Sequence, residues 1–339
     1  MKKLLALLLT AILAVGMLAG CGSSDKNKTE DKQKTEKTEE SVSVRVGSLK
    51  GPTTIGLVSL MEKAENKESE GTYTFQMEAG AEALLAAMTK GEMDIALIPA
   101  NAASIWYNKL DGAVKVIDIN TLGVLYMVST DENINNMQAL KGKTIVLTGK
   151  GTTPDYTLQY LLKANGMSTE DVTLEYKSEA AEVVSALAQG TADIGLLPQP
   201  FVTAACAQNN NLKVVMDMTE EWNHVQGEDG GQLVTGVTVV RTDFLEKHQK
   251  EVETFLKEHQ ESAAYANEHV KETAELVEKQ GIIEKAAIAE KAIPKCNITY
   301  IDGAEMKKGI SGYLKVLYDL DPAMVGGNMP DDAFYYETE

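Results

Sequence analysis

Between residues 42 and 217, short apolar runs alternate with segments whose apolar positions repeat at helical spacing. The short runs predict buried strands, and the longer segments predict helices with one buried face. The apolar runs in the first part are VSVRVGS, YTFQMEA, DIALIPA, AVKVIDI and GVLYMVS. The helical segments between them are TIGLVSLMEKA, AEALLAAMTKG and NAASIWYNKL. This alternation is typical of a mostly parallel sheet with helices on its faces.

The same order of elements returns later in the chain. Its strands are KTIVLTG, DVTLEYK, DIGLLPQ and LKVVMDM, and its helices are PDYTLQYLLKANG, AAEVVSALAQG and FVTAACAQ. At an offset of 99, residues 81–100 and 180–199 agree at seven positions. The turns at 48–54 and 148–154 share Lys-Gly and Thr in register. Any α/β protein repeats helix, glycine and strand, but a shared order of four elements favours two related lobes.

The segment after the second set of elements changes character. TEEWNHVQGEDGGQ is strongly polar and predicts a loop, and LVTGVTVVRTDF predicts a strand that returns to the first lobe. From about Thr242 the chain is amphipathic and charged, which predicts surface helices that cover the first lobe. His248, His259 and His269 fall in this charged region, so we expect them on solvated faces.

The predicted organisation has four parts. At roughly 150 residues per domain, the folded body is long enough for two domains. Because the return strand brings the chain back, the first lobe is expected to consist of two separated pieces. The predicted parts are a signal peptide (1–20), a flexible tether (21–41), lobe 1 (42–128 plus 237–339) and lobe 2 (129–236).

The N-terminal residues indicate export. A basic start, MKK, precedes an apolar run of fourteen residues, LLALLLTAILAVGM, and then small residues, as in a secretory signal peptide. A run this short does not span a bilayer as a stable helix. The sequence LAGC resembles the bacterial lipobox, in which the cysteine, here Cys21, becomes the acylated first residue. We therefore expect a lipid anchor on the outer face of the bacterial cytoplasmic membrane, followed by a solvated tether.

The net charge of the chain limits the classes of partner that we expect. The net charge is -18, and loss of Lys2 and Lys3 with the signal peptide makes it -20. Nucleic acids and anionic membrane faces both require a basic patch, so neither is an expected partner.

Cys206 and Cys296 remain after lipidation, and export would permit a disulfide between them. Free, partly buried thiols are the preferred interpretation, because the two cysteines fall in separate predicted lobes.

Several motifs together carry a family resemblance. They are the lipobox, KGPTT, DIALIPANAAS, LKGKTIVLTGKGTTPDYTLQYLLKANG and DIGLLPQPFV. In this order they resemble the substrate-binding proteins of ABC importers, and most of all the branch of nitrate, sulfonate, taurine and thiamine-pyrimidine-precursor binders. The resemblance implies a type II periplasmic-binding-protein fold, with two α/β lobes joined by crossing strands. It also implies that the lobes close over a small molecule and that the loaded protein docks on a membrane permease.

The paired turns are the first candidate site. In open α/β sheets, ligands bind beyond the carboxyl ends of the strands, where helices begin and offer free amides. Glycines there let the backbone approach a ligand, and threonines add hydroxyl donors. Plain helix capping explains any one such turn equally well, and a turn lysine is often only solvated. The candidate ligand-binding residues from the turns are Lys50, Gly51, Thr53, Thr54, Gly149, Gly151, Thr152 and Thr153.

Three further candidates follow strands or lie in the polar loop. Asn101 and Gln199 occupy equivalent positions after the two repeated strands, where each could donate to a ligand or satisfy its own turn. Trp222, in the predicted loop, has few apolar neighbours in sequence and could stack on a flat ligand, although packing onto its own lobe is the alternative. Trp106 is expected to pack, because it lies inside an amphipathic helix.

The expected function is that of an extracytoplasmic receptor, acting as a monomer, which delivers a small polar or anionic organic molecule to an ABC permease. No GxSxG elbow, HExxH helix or paired-cysteine metal spacing occurs, so we expect no catalytic residue, metal or cofactor. One alternative is a ligand-sensing module for a membrane receptor. Another is an enzyme on the same fold, similar to the pyrimidine synthases of thiamine formation, but their cysteine-rich iron-binding run is absent from this sequence.

Overall fold

The computed structural model describes residues 42–227 and 231–337. Its strands are β1 (Ser43–Leu49), β2 (Thr72–Glu78), β3 (Ile95–Pro99), β4 (Val114–Leu122), β5 (Leu125–Ser129), β6 (Thr144–Leu147), β7 (Thr173–Tyr176), β8 (Ile194–Pro198), β9 (Lys213–Asp217), β10 (Val234–Arg241) and β11 (Ile298–Ile301). Its helices are α1 (Pro52–Ile55), α2 (Val58–Glu65), α3 (Ala81–Thr89), α4 (Ala100–Lys109), α5 (Thr153–Ala164), α6 (Ala180–Ala188), α7 (Phe201–Gln208), α8 (Met218–Gln226), α9 (Thr242–Lys247), α10 (Gln249–Glu268), α11 (Val270–Lys279), α12 (Ala286–Ala292) and α13 (Gly303–Leu320). None of the helices in these two ranges is both long and apolar enough to cross a membrane.

Two sheets organise the chain. The first has six strands in the order β11-β4-β10-β3-β1-β2, and the second has five in the order β7-β6-β8-β5-β9. In the first sheet β1 pairs in parallel with β2 and β3, while β10 lies antiparallel between β3 and β4. The second sheet repeats this plan, since β6 is parallel to β7 and β8 while β5 is antiparallel to β8 and β9.

The chain passes between the sheets twice. It leaves the first sheet after β4 and enters the second at β5, with only Gly123 and Val124 between the two strands. It returns to the first sheet at β10. The later helices pack against helices that follow strands of both sheets: α12 packs against α7, which follows β8, and α11 packs against α2, which follows β1. The exact bounds of the two lobes therefore stay a prediction.

The predicted polar loop, residues 219–232, is wrong over residues 219–226, because these residues lie in α8. The Asp217 carboxylate accepts a hydrogen bond from the Thr219 amide at 2.8 Å and caps the helix. Glu220 and Glu221 occupy the first turn, where negative charge stabilises a helix. The same polar residues that suggested a loop are therefore good N-terminal helix residues.

Buried polar side chains connect helix α10 to the first sheet. The prediction that the histidines of this region lie on solvated faces is therefore wrong for His259. The side chains of His259 and Asp118 are fully buried, and their Nδ1 and Oδ2 atoms lie 3.1 Å apart. The Thr238 hydroxyl donates to the other Asp118 oxygen at 2.7 Å. One residue earlier, Glu258 accepts a hydrogen bond from the Tyr73 hydroxyl at 2.7 Å. Cys206 and Cys296 are both free thiols.

Candidate functional site

A cavity of about 490 Å³ lies at the carboxyl ends of strands from both sheets. Leu49 and Pro99 end β1 and β3 on one side, and Thr148 and Pro198 lie at the ends of β6 and β8 on the other. This is where an open parallel sheet presents free backbone and the starts of its helices. The volume suits a small organic molecule, for which pockets measure roughly 300–1,000 Å³.

Four helix N-termini converge on this cavity. The residues that precede α1, α3, α5 and α6 are Gly51, Gly80, Thr152 and Glu179, and all four line the cavity. No side chain forms a capping hydrogen bond at any of these four positions. The first amides of a helix have no partner within the helix, and its N-terminal end carries partial positive charge. Helices that follow strands of both sheets therefore present backbone amide donors to the same cavity.

The lining also carries ionic side chains. The charged residues that line the cavity are Lys50, Lys150, Lys177, Glu82 and Glu179. Three ammonium groups against two carboxylates leave one positive charge, in a protein whose net charge is -18. Lys177 already pairs with Glu175 at 2.6 Å, and the Lys150 ammonium lies 5.4 Å from the centre of the Tyr176 ring. The local charge favours an anionic group more than the overall composition does.

The structure brings together only part of the predicted site. The residues that line the cavity are Lys50, Gly51, Thr53, Gly149, Thr152 and Thr153. The residues that the structure does not bring to it are Thr54, Asn101, Gly151, Gln199 and Trp222. Each of these five residues has hydrogen-bond partners inside the protein.

Thr54 and Gln199 satisfy their own turns. The buried Thr54 hydroxyl donates to the Leu49 carbonyl at 2.5 Å and lies 2.8 Å from the Ser48 hydroxyl. The Gln199 side-chain oxygen accepts a hydrogen bond from the Thr203 hydroxyl at 2.8 Å. Both side chains are nearly inaccessible, so their hydrogen bonds stabilise the strand-to-helix connections.

Both backbone polar groups of Gly151 are engaged within the protein. Its amide donates to Asp155 Oδ2 at 2.8 Å, and its carbonyl accepts from Asn101 Nδ2 at 3.2 Å. Asp155 is buried, and its other oxygen accepts from the Tyr176 hydroxyl at 2.8 Å. Burial, with Asp155 beside the hydroxyl, raises the pKa of Tyr176. This arrangement positions the Gly149–Thr152 turn, and it leaves Gly151 no free group for a ligand.

Asn101 joins the two walls of the cavity instead of facing into it. It lies on α4, beside the first sheet, and it is fully buried. Its amide nitrogen lies 3.2 Å from the Gly151 carbonyl and 3.3 Å from the Met324 carbonyl. Its side-chain oxygen lies 3.4 Å from the Thr153 hydroxyl. Asn101 thus connects α4 to the turn that follows β6.

Trp222 is fully buried, so the structure does not support the prediction that it stacks on a ligand. Its indole nitrogen donates to the Gly231 carbonyl at 2.5 Å. Its ring lies 4.7 Å from that of Tyr160 and 5.6 Å from that of Tyr313, measured between centroids. Trp106, which was expected to pack, is buried as well. The aromatic neighbours of Trp222 are distant in sequence, and the local sequence gives no sign of them.

A second pair of turns, which the sequence prediction did not include, also lines the cavity. Gly80 and Ala81 line the cavity at the start of α3, and Glu179 and Ala180 do the same at the start of α6. Phe201, at the start of α7, also lines it. The signal was present, because the repeat at an offset of 99 begins with the pair Ala81 and Ala180.

Comparison with known proteins adds independent findings. Residues 75–273 match the family model described as NMT1/THI5 like. A Bacillus subtilis protein named for binding aliphatic sulfonates is 27% identical over 150 residues, which are 44% of this chain. The match spans 42% of the length of that curated relative.

Two solved structures resemble the whole described fold. A protein described as an ABC transporter of Parabacteroides distasonis is 25% identical, with a TM-score of 0.71 over 88% of this chain and 100% of that one. The periplasmic aliphatic sulphonate binding protein of Escherichia coli is 17% identical, with a TM-score of 0.67 over 84% of this chain and 95% of that one. These likenesses confirm the predicted fold class, a two-lobed α/β fold of the periplasmic-binding-protein type II.

Proposed function

Because the chain belongs to the NMT1/THI5-like family, we propose that it is an extracytoplasmic solute receptor. It binds a small polar or anionic organic molecule in the cavity and delivers it to an ABC importer permease. The observation that carries the proposal is the meeting of uncapped helix N-termini from both sheets around one cavity with an excess of lysine. A ligand held by both walls gains contacts only when the walls are close, as a receptor that closes over its cargo requires.

An organic sulfonate or a similar anion is the ligand class that we propose. Helix N-termini and lysine side chains both stabilise a tetrahedral oxyanion, which accepts several hydrogen bonds at once. The Bacillus subtilis relative and the Escherichia coli structure are both named for sulfonate binding. A receptor role without catalysis agrees with these names. A ligand-sensing module would use the same cavity. A pull-down distinguishes the transport role, in which an ABC permease is recovered, from the sensing role, in which a receptor kinase is recovered.

We expect a thermal-shift screen of alkanesulfonates, taurine, nitrate and aminopyrimidines to identify the class. A ligand at 100 times its Kd stabilises the folded state by about 2.7 kcal/mol and raises the melting midpoint. The double substitution Lys50→Ala and Lys150→Ala should then weaken binding roughly tenfold or more, because each lysine can supply a charge-assisted hydrogen bond. Lys250→Ala, at an exposed position on α10, is the matched control. Unchanged affinity in the double variant would contradict the proposed site.

The lipid anchor is a separate proposal, and Cys21 lies outside the described residues. The LAGC sequence after a basic, apolar leader supports it. Cys21→Ala should release the protein from the membrane fraction or leave it as uncleaved precursor, because each buried acyl methylene contributes about 0.8 kcal/mol to attachment. Fractionation and mass spectrometry measure both outcomes. Full membrane retention of the unmodified variant would exclude the anchor.

A further inference from the structure

The two matching lysines of the cavity, Lys50 and Lys150, have different surroundings. The Lys150 ammonium lies 5.4 Å from the centre of the Tyr176 ring. The face of an aromatic ring carries partial negative charge and attracts a cation within about 6 Å. Within residues 42–227 and 231–337, the Lys50 ammonium forms no ion pair and lies over no ring. Lys150 is therefore the lysine of this pair whose charge has a preferred place before a ligand arrives.

Tyr176 is itself held in place by the protein. Its ring packs against the hydrophobic core, and its hydroxyl donates to Asp155 Oδ1 at 2.8 Å. Asp155 is 2% exposed, and its other oxygen accepts a hydrogen bond from the Gly151 amide at 2.8 Å. One buried carboxylate thus positions both the ring beside Lys150 and the turn to which Lys150 belongs.

The first sheet has no equivalent of this arrangement. Strand β2 pairs with β1 as β7 pairs with β6, and at the offset of 100 that relates the two turns, Gln76 takes the ladder position of Tyr176. The residue that corresponds to Asp155 is Ile55. Neither residue offers an aromatic face or a carboxylate, and the Gln76 side chain donates to Glu78 at 2.6 Å. The difference between the two lysines therefore follows from the sequence of the two repeats.

We infer that Tyr176 is a positioning residue of the binding site, because its ring holds the Lys150 ammonium at the cavity in advance of the ligand. This inference rests on the proposed function. Tyr176 does not line the cavity, so it acts through Lys150. A long lysine side chain loses conformational freedom when a ligand orders it, and the ring removes part of that loss beforehand. The wall that carries Lys150 is thus prepared for an anionic group, whereas Lys50 is ordered only when the ligand binds.

Nuclear magnetic resonance tests the position of Lys150 without a ligand. Reductive methylation with isotope-labelled formaldehyde gives each lysine a dimethylammonium group that keeps its positive charge. We expect the Lys150 methyl resonance, assigned by its loss in Lys150→Arg, to lie upfield of that of the exposed Lys250, because the ring face shields nearby protons. Tyr176→Leu should move it to the position of Lys250, and Tyr176→Phe, which keeps the ring, should not. Coincident Lys150 and Lys250 resonances in the parent protein overturn the inference.

A double-mutant cycle tests the consequence for binding, with ethanesulfonate as the probe in calorimetry. Tyr176→Leu should raise Kd roughly threefold to tenfold, because the ligand must then order the lysine itself. In the Lys150→Ala background the same substitution should change Kd little, because the residue through which Tyr176 acts is already gone. Tyr265→Leu is the matched control and should bind as the parent protein does, since this partly buried tyrosine stacks on His269 and does not line the cavity.

The outcomes separate the inference from the proposed function. An equal loss of affinity in both backgrounds would show that Tyr176 supports the fold and not Lys150, which overturns the inference and leaves the receptor intact. If ethanesulfonate does not bind the parent protein, the proposed ligand class is wrong, and the resonance of Lys150 alone decides the inference.

Discussion

A protein that carries Gly51→Leu should fold normally and lose its ligand. Gly51 lines the cavity, and its φ of 165° is extended backbone that leucine adopts readily. A Cβ atom there would meet Phe201 at 3.8 Å, which is ordinary contact. The rest of the leucine side chain would occupy the space of the ligand. We expect Kd to rise about 100-fold or more, which corresponds to roughly 2.7 kcal/mol.

Calorimetry measures the loss of ligand affinity in Gly51→Leu. The melting midpoint without ligand, compared with that of the parent protein, shows whether the variant is folded. Gly151→Val provides the contrast, because this glycine has φ of +73° and does not line the cavity. A left-handed conformation costs a non-glycine residue roughly 1–2 kcal/mol, and a β-branched side chain is worse placed than most. This variant should melt earlier, and the folded fraction should still bind. Tight binding by a well-folded Gly51→Leu protein would show that the ligand lies elsewhere.

Asp118→Ala should produce the largest loss of stability among these variants, about 2–4 kcal/mol, because each buried polar group left without its partner costs roughly 1–3 kcal/mol. The substitution leaves Nδ1 of His259 without its partner and removes the acceptor of the Thr238 hydroxyl. These three residues connect β4, β10 and α10, so the loss affects the attachment of the helical segment to the first sheet.

Urea denaturation monitored by circular dichroism measures this change. Asp319→Ala is the matched control, because Asp319 is exposed and pairs only across one helix turn with Lys315. Exposed pairs of this kind contribute little. The control should unfold at the parent urea concentration. A shift no larger than that of the control would mean that the buried pair does not stabilise the fold.

The sequence predicts regular elements and their repetition well, because hydrophobic spacing reflects burial directly. It predicts less about which polar groups reach the cavity. Lys50 and Lys150 belong to matching turns and both line the cavity, whereas Gly51 lines it and Gly151 does not. The difference comes from Asp155, which takes the Gly151 amide, and the first turn has no counterpart of this carboxylate.

Trp222 and His259 are both buried, contrary to the preferred prediction for each, and for one physical reason. Both lie among charged residues in sequence, and the partners that bury them are distant in the chain. Tyr313 contacts Trp222 and Asp118 contacts His259. The missed turn at Gly80 is different, because the repeat already indicated its importance. Local pattern thus identifies the framework of the site, and long-range contacts decide which side chains remain available.

The position of β10 between β3 and β4 governs the order in which the molecule can form. Strands β3 and β4 are made early, but the strand that joins them belongs to a part of the chain that follows the entire second sheet. During synthesis, both strands present unpaired edges until β10 arrives, and such edges are prone to pair with other chains. Pairings between residues so far apart in sequence also form slowly. We therefore expect the facing edges of β3 and β4 to stay open to wrong pairing until residues 234–241 have been made.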